Sequence, residues 1–123
     1  RRPRPPAQSR QRRPGRRGQL AAGFPHELVI EFDKPRTIAG ITALPRQDGN
    51  RNGWIQDYAV YVSNDGKTWK EPVAKGAFPA SASLQTVKFA TPASGSFLRL
   101  VALSGHANGP WASLAELDVL FAE

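Results

Sequence analysis

From His26 onward, apolar and polar positions alternate with a period of two. In "HELVIEF" (26–32), Leu28, Ile30 and Phe32 fall on one face and Glu27, Val29 and Glu31 on the other, the pattern of a strand with one buried side. Pro35 is expected to close this segment, and "RTIAGITAL" (36–44) opens the next. A third run, 56–63, ends at Asn64-Asp65-Gly66, a turn signal. Then come a short stretch, "TWKEPVAKGAF", and the runs "LQTVKFA" (84–90), "SFLRLVALS" (96–104) and "LAELDVLF" (114–121). In the last of these Ala115, Leu117, Val119 and Phe121 alternate with Glu116 and Asp118. No window keeps helical spacing over three turns. Seven or eight short strands punctuated by Pro, Gly and Asn predict an all-β sandwich or barrel.

Residues 1–23, "RRPRPPAQSRQRRPGRRGQLAAG", break this pattern. Leu20 is the only large apolar residue, so the segment cannot bury enough surface to fold and is expected to be a disordered basic tail. The chain has 123 residues and a formal charge of +7, and the tail accounts for the excess. Eight of the 17 Lys and Arg lie in it, which leaves nine in residues 24–123 against ten Asp and Glu. Basicity therefore belongs to the tail and not to the predicted domain, 24–123. An arm for a nucleic acid, a solvated linker, and a GC-rich gene read out of frame all give such a composition. With no initiating Met and no signal peptide, the chain reads as part of something longer. It has no Cys, hence no disulfide framework or thiolate metal site, and no apolar run long enough to suggest a membrane span.

Catalytic motifs are missing: there is no GxSxG elbow, HExxH pair or P-loop. The two histidines are His26 at a strand start and His106 in a Gly-rich loop, and Asp48 and Asp57 flank one loop without the partners an acid–base pair requires. The informative feature is that loop. Between the runs 36–44 and 56–63 the chain inserts "PRQDGNRNGW", longer than a hairpin needs, and long polar loops on a strand scaffold commonly bind ligands.

"PHELVIEFD", "LPRQDG", "DYAVYVSNDGKTW", "FLRLVALS" and "WASLAELDVL", in this order over residues 25–121, resemble the coagulation factor V/VIII type C (discoidin) domain. The likeness is greatest to its bacterial branch, the family 32 carbohydrate-binding modules. The resemblance implies an eight-stranded jelly roll that holds a sugar in loops at one end. It also implies attachment to a secreted bacterial glycan-active enzyme such as a glycoside hydrolase, sialidase or lyase. The Cys pair and apolar loop spikes of the membrane-binding members have no counterpart here, which favours a glycan partner over lipid.

A sugar site needs an aromatic face for the apolar side of a pyranose and planar polar groups for its hydroxyl pairs. Arg46, at a strand end entering the loop, suits the second task because its donors lie in one plane; the resemblance assigns it a place in the pocket. Asn52, late in the same loop, offers a donor and an acceptor. Trp111 falls where relatives set an aromatic ring against the sugar, with Trp54 as an alternative platform and His106 and Asn108 on the rim. Trp69, just after a tight turn, is expected to pack. The bland alternatives are a loop-ordering salt bridge from Arg46 to Asp48 or Asp57, and Trp111 as a plug of the core. The resemblance also points to Ala115-Glu116 as a calcium-binding pair. The remaining ligands would come from an N-terminal Asp-Gly…Thr…Trp loop, and residues 1–23 contain no Asp, Thr or Trp. Calcium is thus expected in the intact family fold and not in this chain. The rival readings are a spacer or protein-docking jelly roll, and a nucleic-acid binder acting through the tail.

Overall fold

The computed structural model describes residues 24–107 and 111–123. The basic tail and Asn108 lie outside the described residues. Five strands are found among them: β1 (His26–Leu44), β2 (Asp57–Ser63), β3 (Ala74–Ala77), β4 (Gln85–Ala102) and β5 (Glu116–Phe121). All pairings are antiparallel, in the order β3-β2-β4-β1-β5. No helix here is long and apolar enough to cross a membrane.

Two expected breaks are absent. The runs 26–32 and 36–44 are one 19-residue strand, and 84–90 and 96–104 are combined in an 18-residue strand, so Pro35 does not end its segment. Instead the β1–β4 ladder loses its register twice, between Glu31 and Arg36 and between Ile38 and Gly40. Pro35 lies in the first gap and Pro92 in the second, where a residue without an N–H deprives the ladder of nothing. At these corners the sheet turns over on itself. Val60, Leu98 and Leu100 from one half and Ile41, Val87 and Phe89 from the other consequently share one core. This single ladder, folded into two facing layers, is the predicted β-sandwich.

The second irregularity sets which side chains face inward. Opposite β5, Ile38 pairs with Phe121 and Gly40 with Leu120, so Ala39 is an extra residue. Such a bulge reverses the alternation, and Ile38 and Ile41 are both fully buried although they are three positions apart. A Cβ on Gly40 would run into the backbone carbonyl of Val87. In the first half of β1 the alternation holds: Leu28, Ile30 and Phe32 are half-buried, while Val29 is 43% exposed.

The Asp65-Gly66 turn forms as predicted. Ser63 Oγ donates to Asp65 Oδ1 at 2.9 Å, and Asp65 Oδ1 accepts from the backbone N–H groups of Lys67 and Thr68, each at 2.8 Å. The N–H groups of Thr68 and Lys67, followed by the Ser63 hydroxyl, hold the Asp65 carboxyl well below the usual carboxylate range. Trp69 packs as expected. Its ring and that of Tyr61 flank the Arg99 guanidinium, with centroids 4.5 and 4.4 Å from Cζ.

Candidate functional site

Folding the ladder over brings the ends of its two halves together, and three loops meet there. The loop from β1 to β2 lies against the loop from β4 to β5. Gln56 N–H donates to Ser104 O at 2.8 Å, Ile55 and Gly105 form an antiparallel bridge, and His106 N–H donates to Trp54 O at 2.9 Å. Further along, Ser113 N–H donates to Gly53 O at 2.8 Å and Ser113 Oγ to Asn52 O at 3.2 Å. The segment after β3 is the third member: Phe78 N–H donates to Gln56 O at 2.8 Å, and Gln47 Nε2 donates to Ala82 O at 2.7 Å. Residues 52–56 of the first loop therefore lie against 104–106 and 113 of the second.

The long polar loop is organised by its own side chains. Asp48 Oδ1 accepts from Asn50 N–H at 3.0 Å, Asn50 Oδ1 from Asn52 N–H at 2.8 Å, and Arg51 O from Trp54 N–H at 3.1 Å. Successive Asx turns of this kind explain the run of Asp and Asn that interrupts the strand pattern. Gly53 closes the loop at φ 87°, and a Cβ there would meet Ser113 Oγ at 2.6 Å, so only glycine lets the two loops approach this closely.

Arg46 enters from the end of β1. Its Nε donates to both carboxylate oxygens of Asp48 at 3.0 Å, the loop-ordering bridge weighed above, with the Arg46 side chain still 40% exposed. The Asn50 N–H, with the Arg46 guanidinium, holds the Asp48 carboxyl below the ordinary carboxylate value. Because Asp48 engages Nε, the two terminal NH2 groups of Arg46 are left with donors for another group. Asp57, the other candidate partner, accepts from Ser104 Oγ at 2.8 Å instead.

The tryptophans divide. Trp111 is 56% exposed, two residues before Ser113, whose hydroxyl donates to Asn52 O, and it does not plug the core. Trp54 must be removed from the candidate platforms. It is 8% exposed, its indole N–H donates to Arg46 O at 3.1 Å, and the Arg51 guanidinium lies 5.4 Å over its ring. A residue so far buried, with a guanidinium over its ring, offers a sugar little stacking surface. His106 is likewise more than a rim residue. Its ring Nε2 bonds Phe78 O at 2.7 Å while its backbone N–H holds Trp54 O, so it pins three segments. Ser113 escaped the sequence reading altogether, since nothing local marks a serine whose partners lie 60 positions upstream.

Glu116 is exposed at the start of β5, and Ala115 N–H donates to Leu44 O at 2.8 Å. Among the described residues no three His, Cys, Asp or Glu side chains come together.

Residues 17–117 match the F5/8 type C domain model. A galactose oxidase of Gibberella zeae is 44% identical over 97 residues, 77% of this chain and 14% of that protein. A sialidase of Micromonospora viridifaciens is 38% identical over 100 residues, 80% of this chain and 15% of that protein. The chain thus spans about one seventh of the curated relatives it matches. Among solved structures, a family 32 module of Clostridium perfringens, CpGH89CBM32-5, in complex with GalNAc-β-1,3-galactose superposes with a TM-score of 0.75 at 34% identity. That match covers 85% of this chain and 71% of the other. The family 32 module of C. perfringens NanJ in complex with galactose gives a TM-score of 0.72 at 30% identity, covering 84% and 72%.

Proposed function

The chain belongs to the F5/8 type C domain family, as a non-catalytic module of the family 32 carbohydrate-binding kind, and we propose that it targets a secreted, glycan-active enzyme to terminal galactose-type sugars. One observation carries this reading. An exposed indole, Trp111, and the part-exposed side chain of Arg46, which meets Asp48 through its Nε, stand on two loops tied backbone to backbone at one end of the sandwich. A ring face and a planar fork of donors are what a pyranose needs, one for its C–H patch and the other for a pair of hydroxyls. The neighbours that hold galactose and GalNAc-β-1,3-galactose supply the sugar class. The relatives' names supply the enzyme class, since the chain matches a small part of an oxidase and of a sialidase.

The roles follow from position. Arg46 forks onto adjacent hydroxyls, Asn52 offers a donor and an acceptor beside it, and Trp111 covers the ring. Asp48 holds the Arg46 side chain by its Nε, while Trp54 and His106 hold the loop. A site preorganised in this way spends little binding energy on ordering itself. Titration calorimetry against galactosides, with a glycan array for breadth, tests the reading. Millimolar to high-micromolar affinity is expected, about 4–6 kcal/mol. An array without glycan hits would refute it in favour of a spacer or docking module. Hits confined to nucleic acid and abolished by salt would move the activity to the tail.

A further inference from the structure

We infer that Arg51 forms an anionic subsite beside the Arg46 position, so that the ligand is a pyranose bearing a carboxylate or sulfate. This rests on the sugar-binding reading above and adds the charge class of the sugar. Two arginines serve this loop, and Trp54 fixes both, giving its indole N–H to the backbone of Arg46 and its ring to the guanidinium of Arg51. Their charges are treated differently. Asp48 neutralises Arg46 through both carboxylate oxygens. Arg51 is exposed and has no carboxylate within ion-pair distance among the described residues. Asp57, at the start of β2, accepts from Ser104 Oγ.

The backbone of Arg51 is fixed, and its guanidinium rests over the Trp54 ring while the residue stays exposed. Its carbonyl accepts the Trp54 N–H in a closed turn, and the flanking Asn50 and Asn52 are joined by an Asx bond of 2.8 Å. A cation held over an indole keeps its outward N–H donors for solvent or a ligand. A neutral hydroxyl pair would leave this charge unused. A carboxylate or sulfate on the same or the next sugar would meet it with charge-assisted hydrogen bonds.

The test uses the whole chain, tail included, and three probes: a methyl galactoside, a galacturonate oligosaccharide and a sulfated galactoside. Wild type is expected to bind one or both anionic probes about two- to fivefold tighter than the neutral one at low salt, with the preference shrinking at high salt. Which anionic probe is favoured tells a carboxylate from a sulfate. Arg51→Gln should erase the preference and leave neutral-galactoside affinity unchanged, and Arg51→Lys should restore part of it. A preference that survives Arg51→Gln would assign it to the tail arginines, and equal binding of all probes by wild type would refute the subsite. Both outcomes overturn the inference and leave the sugar-binding reading intact. Failure to bind any of the three would overturn both.

Discussion

The indole Nε1–H of Trp54 donates to the carbonyl oxygen of Arg46 at 3.1 Å. Eight positions of sequence separate the two residues, one at the loop's entry and the other at its last turn. A buried aromatic thereby sets the backbone position of the arginine proposed to meet the sugar. Trp54→Phe keeps most of the ring and removes the N–H. It is expected to lower stability by about 1 kcal/mol and to weaken galactoside binding, because Arg46 loses its fixed base. Calorimetric titration and denaturant unfolding of the same protein give both quantities. Full affinity in a folded Trp54→Phe protein would show that this bond does not position Arg46.

Trp111 should behave in the opposite way. At 56% exposure its removal is expected to leave stability within about 0.5 kcal/mol, while Trp111→Ala costs roughly 1–3 kcal/mol of sugar affinity. Arg46→Ala should cost a similar amount, about 1–3 kcal/mol, by leaving ligand hydroxyls without donors. Unchanged binding in both variants would move the sugar site elsewhere.

Gly40 is fixed by a neighbour and not by its own torsions. With a Cβ directed at the Val87 carbonyl, Gly40→Ala must push β1 and β4 apart beside the fully buried Ile38 and Ile41. A loss of about 3 kcal/mol is expected in chemical unfolding. Tolerance of alanine would mean that the strands can separate there at little cost.

Asp65 links stability to pH. Hydrogen bonds from Thr68 and Lys67 N–H and from the Ser63 hydroxyl stabilise its charged form in the folded protein. The folded pKa is thus depressed below the unfolded value of about 4. The stabilisation is complete above that value and fades as pH falls toward the folded one. Thermal unfolding from pH 7 down to pH 3 should show a decline that is shallower in Asp65→Asn, which should also start from a lower midpoint at pH 7. Parallel curves for the two proteins would exclude Asp65 as a source of the acid sensitivity.

Calcium offers a separate check on Ala115-Glu116. With no converging trio of His, Asp or Glu side chains among the described residues, millimolar calcium is expected to leave the thermal midpoint of this chain unmoved. A clear upward shift, reversed by a chelator, would show that further oxygen donors complete a site there.

Strand content, inward faces and turns were legible in the sequence because they are local matters. Alternation put Leu28, Ile30 and Phe32 on the inner side, and Asp65-Gly66 marked a turn whose hydrogen bonds span a few residues. The loop after Leu44 was conspicuous for the same reason, as its Asp and Asn residues serve their own backbone. Tertiary structure alone decided three other things. Pro35 stops a strand only if its N–H is needed, and the sheet corner made it superfluous. The bulge at Ala39 buried Ile38 and Ile41 together, a choice that depends on where β5 pairs. Above all, Trp54 and Trp111 are alike as letters, yet one is covered and the other open. Ser113 and His106, some 50 to 60 positions downstream, bring a second loop against the backbone at Trp54 and its neighbours. Burial is a property of what packs around a side chain, and those neighbours come from parts of the chain that no local pattern connects.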